Sequence, residues 1–130
     1  MFWNCNAENK CIVLPSSNVK RVSMYIYSVS VKLLPEIEQA WLRWMHEEHM
    51  QAVLNTGCFY RYHLFQLSEP IDEEGITYIA QYESETMDAI DTYIEQFAPA
   101  LRQDGYTRFG DQFIAFRTIL QHVTSSNTLK

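Results

Sequence analysis

Basic residues are scarce in this sequence. Lys and Arg together number 10 against 16 Asp and Glu, which gives a formal net charge of −6 at pH 7. Residues 1–23 carry a net charge of +2, so the rest of the chain carries −8. An acidic domain without a basic stripe repels phosphate backbones, and we therefore expect no nucleic-acid partner.

Long apolar runs and cysteines are also few. No run approaches the roughly 20 apolar residues that span a bilayer, so we expect no membrane partner. The opening residues, MFWNCNAENK, lack the basic segment and apolar core of a signal peptide. The cysteines, Cys5, Cys11 and Cys58, are odd in number and match no zinc or redox spacing. We therefore expect reduced thiols and a cytoplasmic protein.

Hydrophobic residues, in contrast, make up 47% of the 130 residues, and they include 3 Trp, 8 Tyr and 7 Phe. This composition predicts one folded domain with a real core. Residues 1–23 have no sustained hydrophobic period and are rich in Asn, Ser and Lys, which predicts a poorly ordered leader. The pattern changes abruptly at Met24, an alternative start of the protein. We assign the domain to residues 24–122 and a polar tail to residues 123–130.

The most informative stretch is PEIEQAWLRWMHEEHMQAVLNTGCF, residues 35–59. Its apolar residues recur near the 3.6-residue period of an amphipathic helix. Pro35 suits the first helical turn, and Gly57 suits the left-handed residue that ends a helix. His49 lies on the apolar stripe of this helix rather than on its charged face.

Four strands and a second helix are predicted in the rest of the domain. Alternating apolar and aromatic residues indicate strands at 24–34, 59–67, 76–83 and 112–120, with a hairpin connection at 68–75. Ser84 is the predicted cap of a second helix that ends or kinks at Pro99, before a loop over 102–111. The predicted buried stripe of that helix is Met87, Ile90, Ile94, Phe97 and Leu101.

The resulting order, β-α-β-β-α-β, predicts an α+β ferredoxin-like domain with a four-stranded antiparallel sheet and two helices on one face. Two helices cover one side of such a sheet, yet the central strands are apolar on both sides. The second face needs a cover, and a second copy of the chain provides one. We therefore predict a homodimer with the sheets face to face, since a standard interface of about 800 Å² per partner matches the sheet face.

Five segments of the domain, MYIYSVSV, WLRWMHEEHM, TGCF, TYIAQY and RFGDQFIAFRTIL, together resemble a known family. It is the bacterial domain of unknown function 4286 family, a branch of the dimeric α/β-barrel group. Related barrel families include small-molecule monooxygenases, dehalogenating and decarboxylating enzymes, haem proteins and proteins with no known activity. The resemblance implies the fold and the dimer, but it assigns no reaction.

The run His46-Glu47-Glu48-His49 is similar to a zincin motif, whose histidines lie four residues apart on one helix face. Here they lie three apart and no third ligand is evident, so we predict no metal and no cofactor. His49 alone has two interpretations. It is either a packed core residue with a hydrogen-bonded neutral imidazole or, as the resemblance to the barrel families implies, a residue that reaches a cavity.

The candidate ligand-binding residues are His49, Trp41, Met45, Tyr27, Gln81 and Arg117. A buried guanidinium needs a carboxylate or several carbonyl groups. Arg117 therefore either pairs with a carboxylate of the partner subunit, which we favoured, or clamps an anionic ligand. Cys58 and His63 leave opposite faces of a regular strand, which argues against a nucleophile–base pair.

Two functions fit these observations. The first is a homodimeric barrel that binds a small apolar or aromatic ligand between the first helix and the sheet. The alternative is an interaction or structural module without catalytic activity. No catalytic residue is identified by either reading. A pocket of at least about 300 Å³ beside His49 would favour the first function.

Overall fold

A computed structural model describes residues 3–5, 11–13 and 23–126. The strands are β1 (Trp3–Cys5), β2 (Cys11–Val13), β3 (Tyr25–Leu33), β4 (Arg61–Gln66), β5 (Ile76–Ser84) and β6 (Phe113–Gln121). The helices are α1 (Glu38–Trp44), α2 (Met50–Asn55), α3 (Met87–Thr92) and α4 (Ala98–Phe109). β1 and β2 pair with each other. The rest of the predicted leader, apart from Ser23, lies outside the described residues, so that its disorder stays a prediction.

Strands β3 to β6 form one antiparallel sheet in the order β4-β5-β3-β6. This arrangement confirms the predicted ferredoxin-like fold, in which the first and third strands of the β-α-β-β-α-β unit lie in the centre. Tyr27 of β3 pairs with Tyr82 of β5 and with Ile119 of β6. Both tyrosines are buried, so their side of the sheet faces the helices.

The first helical run, residues 35–55, is continuous but not uniform. A 3-10 turn (Pro35–Ile37) leads into α1, and a π-helical turn (Met45–His49) separates α1 from α2. Pro35 lies in the first turn, and Gly57 has a φ of 81°, as the sequence predicts. The π-helical turn was not predicted. It adds a residue to one turn of the helix and so changes which later side chains face the sheet.

The second helical run, residues 87–109, corrects two predictions. Thr86, not Ser84, caps the helix, because its Oγ1 accepts a hydrogen bond from the Ala89 N–H at 3.1 Å. Pro99 does not end the run. It lies in the first turn of α4, directly after a second π-helical turn (Tyr93–Phe97), where a helix does not need the missing N–H. Residues 102–109 are therefore helix and not loop.

The buried face of this run contains the predicted stripe and one further residue. Of the five residues in the predicted stripe, Ile90 is fully buried and the other four are half-buried. Tyr93, outside that stripe, is almost completely buried. The four half-buried residues all pack against the core, and Tyr93 lies three residues after Ile90, so the predicted stripe is the buried face and Tyr93 also belongs to it.

Gly105 lies in the middle of α4, where the two helical runs approach each other. A Cβ atom at this position would lie 3.4 Å from Cη2 of Trp44. A longer side chain would therefore displace the indole ring. This close approach accounts for a glycine in a helix interior, where it would otherwise destabilise the helix by roughly 1 kcal/mol relative to alanine.

Replacing Thr86 with alanine should lower the free energy of unfolding by about 1 kcal/mol, because the Ala89 N–H loses its side-chain acceptor. Urea unfolding would measure the change. Thr124→Ala, in the exposed segment after β6, is the matched control and should have no effect. Equal stability of the Thr86→Ala protein and the wild type would contradict the assignment of the cap.

The side of the sheet opposite the helices is open in the single chain. One row of paired residues crosses it from edge to edge, and it consists of Phe116, Ser30, Ile79 and Phe65. Phe65, Ile114, Phe116 and Leu120 on this side are all exposed, and Phe116 is 66% exposed. We call this side the open face. Strand β6 is thus apolar on both sides, as predicted, whereas the central strand β3 presents Ser28 and Ser30 to the open face.

Candidate ligand cavity

A cavity of about 60 Å³ lies between the two helical runs and the helix-facing side of the sheet. Both π-helical turns contribute to its wall, the first through Met45 and His49 and the second through Tyr93. π-Helical turns frequently occur at functional sites. Strands β3, β5 and β6 provide the opposite wall, which is apolar at Val31, Ala80 and neighbouring positions.

Five of the six candidate residues line this cavity: His49, Trp41, Met45, Tyr27 and Arg117. Gln81 does not. It pairs with Ser28 and His63 on the open face, because side chains alternate along a strand and its neighbours Ala80 and Tyr82 face the helices. Gln81 therefore does not contribute to this cavity.

Arg117 pairs with Val29 across the sheet and lines the cavity, so it lies on the helix-facing side and not on the open face. A carboxylate of a subunit packed against the open face would therefore meet the other side of β6. Of the two interpretations of Arg117, its position favours contact with an anionic ligand rather than the pairing across the dimer that we favoured from the sequence.

His49 stacks on Trp44 with a centroid distance of 4.4 Å and an interplanar angle of 27°. Burial lowers the pKa of His49 from 6.5 to about 4 because the charged imidazole loses its hydration. Asp104 opposes this shift, whereas Arg117 adds to it. The imidazole is therefore neutral at pH 7, and this agrees with the prediction that His49 lies on the buried stripe.

Three residues that line this cavity each have a buried nitrogen atom without a hydrogen-bond partner: Trp44 Nε1, His49 Nδ1 and Arg102 Nε. The other end of the Arg102 side chain is held, because its Nη2 donates a hydrogen bond to Tyr27 Oη at 2.9 Å. A buried polar group without a partner costs about 1–3 kcal/mol, and native proteins contain few of them. Three at one cavity indicate a place for a polar guest.

The tyrosines beside the cavity are part of an aromatic cluster. Tyr27 packs edge-on against Tyr93 at 5.4 Å and lies 6.4 Å from Tyr82, both measured between ring centroids. Burial raises the pKa of Tyr82 and that of Tyr93, so both remain neutral phenols near pH 7. This cluster therefore contributes no negative charge to the cavity.

The charges at the cavity are positive. Arg102 and Arg117 both line it, and no Asp or Glu side chain of residues 23–126 does so or forms an ion pair with either. Asp104, the acidic residue that influences His49, is itself bonded to Arg108 at 3.4 Å. The cavity thus holds two guanidinium groups in a chain whose net charge is −6.

Sequence reasoning missed two important residues of this cavity. The sequence places Arg102 in a loop because Pro99 is expected to end or kink the helix, and it favours core packing over ligand stacking for Trp44. The spacing of Phe97, Leu101 and Gly105 at four-residue intervals continues past Pro99. That spacing is the sequence feature that could have indicated a longer helix and placed Arg102 beside the sheet.

A separate polar cluster lies on the open face around Glu83, which is 7% exposed. Its carboxylate contacts His63 Nε2 at 2.7 Å and Arg61 Nε at 3.6 Å, and it accepts a hydrogen bond from Tyr60 Oη at 3.4 Å. Cys58 is buried and free, and His63 is engaged with Glu83. Cys58 precedes β4 and belongs to the core, whereas His63 lies in β4 on the open face, so the two side chains are on different sides of the sheet.

The zincin-like residues diverge, because His46 is exposed whereas His49 is directed to the cavity. In the described part of the chain, no three His, Cys, Asp or Glu side chains are grouped as a metal site would require. Across the same residues, none of the helices has the length and apolar character to cross a bilayer.

Comparison with known proteins places the fold in context. A family model described as a domain of unknown function (DUF4286) matches residues 24–123. No curated protein matches the chain. The chain is similar in structure to a dimeric ferredoxin-like protein from an uncultured marine organism, with 6% identity and a TM-score of 0.60 over 80% of this chain and 99% of that one.

Two further solved structures have the same fold. One is a candidate antibiotic biosynthesis monooxygenase from Bacillus cereus, with 8% identity and a TM-score of 0.57 over 82% of this chain and 99% of that one. The other is an ethyl tert-butyl ether degradation (EthD) family protein from Bacillus halodurans C-125. It has 10% identity and a TM-score of 0.57 over 72% of this chain and 96% of that one. At these identities the likeness concerns the fold alone.

Proposed function

The chain belongs to the DUF4286 family, a family of unknown function, and we propose that it is a homodimer that binds a small ligand in the cavity beneath its two π-helical turns. The observation that carries this proposal is the set of three unpaired buried nitrogen atoms on Trp44, His49 and Arg102. A ligand with a polar end and an apolar surface would pair these atoms and contact the apolar sheet wall at Val31 and Ala80.

The size of the cavity limits the ligand. Its volume of about 60 Å³ is well below the roughly 300 Å³ at which drug-sized ligand sites begin. It is also smaller than an engineered cavity of roughly 150 Å³ that binds benzene. The cavity therefore accepts a few non-hydrogen atoms, and an aromatic ligand, as the sequence suggested, would fit only after the helical runs moved apart.

The homodimer rests on the open face and on the fold. Exposed apolar side chains such as Phe116 and Ile114 lie across a sheet face that the helices do not cover. A second sheet packed there would remove them from water. The relative from the marine organism is a dimeric ferredoxin-like protein, which supports the same arrangement here.

The open face also favours a second candidate function, an interaction or structural module in which the dimer itself is the active form. The two candidates differ in what they require of the cavity. The ligand-binding function requires the cavity to be occupied by a specific small molecule. The module requires only the open face, so filling the cavity would not affect the function of the module.

Nuclear magnetic resonance of ¹⁵N-labelled protein tests the ligand-binding function, with acetate, acetamide and ethanol as probes. We expect at least one probe to shift the indole N–H resonance of Trp44, because that N–H lies at the cavity without a partner. Best-case ligand efficiency of about 1.5 kcal/mol per non-hydrogen atom limits a four-atom ligand to about 6 kcal/mol, so the expected Kd is about 40 μM or weaker.

Filling the cavity provides the control for this experiment. Ala115→Leu adds side-chain volume to the cavity wall and should abolish the shift, whereas Ala40→Leu on the exposed side of α1 should not. The proposal of ligand binding in this cavity is wrong if no probe shifts the Trp44 resonance at millimolar concentration, or if the shift persists in Ala115→Leu. The interaction or structural module is then the remaining candidate function.

A further inference from the structure

We infer that the ligand of this cavity is a small carboxylate, which accepts hydrogen bonds from the guanidinium groups of Arg102 and Arg117 and from the indole N–H of Trp44. This inference rests on the proposed function and specifies the chemistry of its ligand. Three properties of the cavity indicate a carboxylate: its charge, the hydrogen-bonding character of the unpaired atoms of its lining residues, and its volume.

The first property is the positive charge of the cavity. Arg102 and Arg117 line a cavity in which no carboxylate of residues 23–126 accompanies them. Both arginines are partly buried, and a cation that loses part of its hydration without gaining a counter-charge is destabilising. The sixteen acidic residues of the chain could have supplied a partner, and those of the described part form their ion pairs elsewhere, as Glu48 does with Arg108 and Asp72 with Lys32. An anionic guest would supply the missing charge.

The unpaired nitrogen atoms require a hydrogen-bond acceptor. Trp44 Nε1 and Arg102 Nε are donors in every protonation state that they adopt in a protein. Neutral His49 can present either a donor or an acceptor at Nδ1. A carboxylate is a pure acceptor with two oxygen atoms, and its planar geometry matches the fork of a guanidinium group. Trp44, which is only 7% exposed, holds its N–H in the wall without an alternative partner in water.

The volume selects a small acid. About 60 Å³ accommodates a carboxylate with one or two carbon atoms beyond the carboxyl group at most, given that a single water needs roughly 10–15 Å³ measured in the same way. The apolar wall at Val31 and Ala80 would contact the methyl end of such an acid. Acetate has this form, and acetamide is its neutral counterpart of nearly the same shape and size.

Comparison of the affinities of these two probes tests the inference on the full-length protein. Acetate should bind with at least about tenfold higher affinity than acetamide, because a hydrogen bond to a charged group is stronger than one to a neutral group. The readout is the Trp44 indole N–H resonance during each titration. Sodium chloride at the concentration of sodium acetate controls for ionic strength, and sodium sulfate tests whether a tetrahedral anion substitutes for a planar one.

Variants locate the contact. Arg117→Gln and Arg102→Gln should each weaken acetate binding about tenfold or more while changing the affinity for acetamide much less. Arg43→Gln, an exposed arginine on α1, is the matched control and should bind acetate like the wild type. Arg102→Gln also removes the hydrogen bond to Tyr27. Melting temperatures identify any loss of folding, and Arg117→Gln together with the wild-type titrations then carries the test.

The possible results separate the inference from the proposed function. Preference for acetate that depends on Arg117 supports both. If acetamide or ethanol binds as tightly as acetate, the ligand is not specifically a carboxylate, while the ligand-binding function stands. Binding of sulfate in preference to acetate likewise overturns the carboxylate. If none of the probes shifts the Trp44 resonance, the inference and the proposed function both fail.

Discussion

Replacing Phe116 with aspartate should convert the proposed dimer into a monomer. Phe116 is 66% exposed in the single chain and lies in the row of residues that crosses the open face between Ser30 and the edge of the sheet. Burying a phenylalanine side chain contributes about 1.5–3 kcal/mol. Because an interface with twofold symmetry contains the residue twice, the substitution removes this contribution twice.

The introduced carboxylate increases the effect, since an unpaired buried charge costs several kcal/mol in addition to the lost apolar contact. A total of at least about 4 kcal/mol raises the dissociation constant roughly a thousandfold. Sedimentation equilibrium at micromolar concentration would measure the change in mass. The helix-facing core should be unaffected, so the circular dichroism spectrum of the monomer should retain the helical signal of the wild type.

Ile71→Asp is the matched control for this experiment. Ile71 is 85% exposed, but it lies in the connection between β4 and β5 and not on the open face. The control should therefore remain dimeric. A wild-type protein that is monomeric at micromolar concentration, or a Phe116→Asp protein that stays dimeric, would show that the open face is not the interface.

The second large effect concerns His49 and acid stability. The pKa of His49 is lowered from 6.5 to about 4 in the folded protein, mainly because burial disfavours the charged imidazole. Below pH 6.5 the unfolded chain takes up a proton at this residue that the folded chain excludes. Stability therefore falls as the pH decreases from 6.5 toward 4, and the total loss from this one residue is about 3 kcal/mol.

Urea unfolding of the wild type and of His49→Gln at pH 7 and near pH 4.5 would measure this contribution. Other groups also titrate in this range, so the expected result is a difference: the wild type should lose about 2–3 kcal/mol more than His49→Gln on acidification. Buffers without carboxylates avoid occupation of the cavity, and a fixed protein concentration keeps any dimer contribution constant.

His46→Gln is the control, because His46 belongs to the same π-helical turn and is exposed. It should follow the wild type at both pH values. Equal acid sensitivity of His49→Gln, His46→Gln and the wild type would mean that His49 is as accessible to protons in the folded protein as in the unfolded chain. The conclusion that His49 is a neutral imidazole in the folded protein would then be wrong.

Local sequence patterns were sufficient for the order of β3 to β6 and the two helical runs, although not for β1 and β2. The alternation along residues 25–33 and the helical period after Pro35 reflect the geometry of each element by itself, so no knowledge of the partners is needed. Gly57 ends the first run because a left-handed backbone favours glycine, which is also a local property. The exposed apolar positions of β6 likewise follow from alternation alone, and they predicted the open face.

The cavity depends on contacts between distant segments, and its composition was predicted only in part. Trp41 belongs to the regular helix α1, whereas His49 ends the π-helical turn and is predicted from the apolar stripe that leads up to it. Arg102 was missed because the effect of Pro99 depends on the preceding π-helical turn, which leaves the proline in a position where its missing N–H is tolerated.

Three features were decided by the tertiary structure. Gly105 allows α4 to approach Trp44 closely. The sequence does not indicate which aromatic ring lies against this glycine. The side of β5 that faces the helices determines that Ala80 reaches the cavity and Gln81 does not. The two arginines line one cavity although Arg102 belongs to α4 and Arg117 to β6. The local sequence thus determined the elements, while packing between them determined which charges and unpaired nitrogen atoms came together.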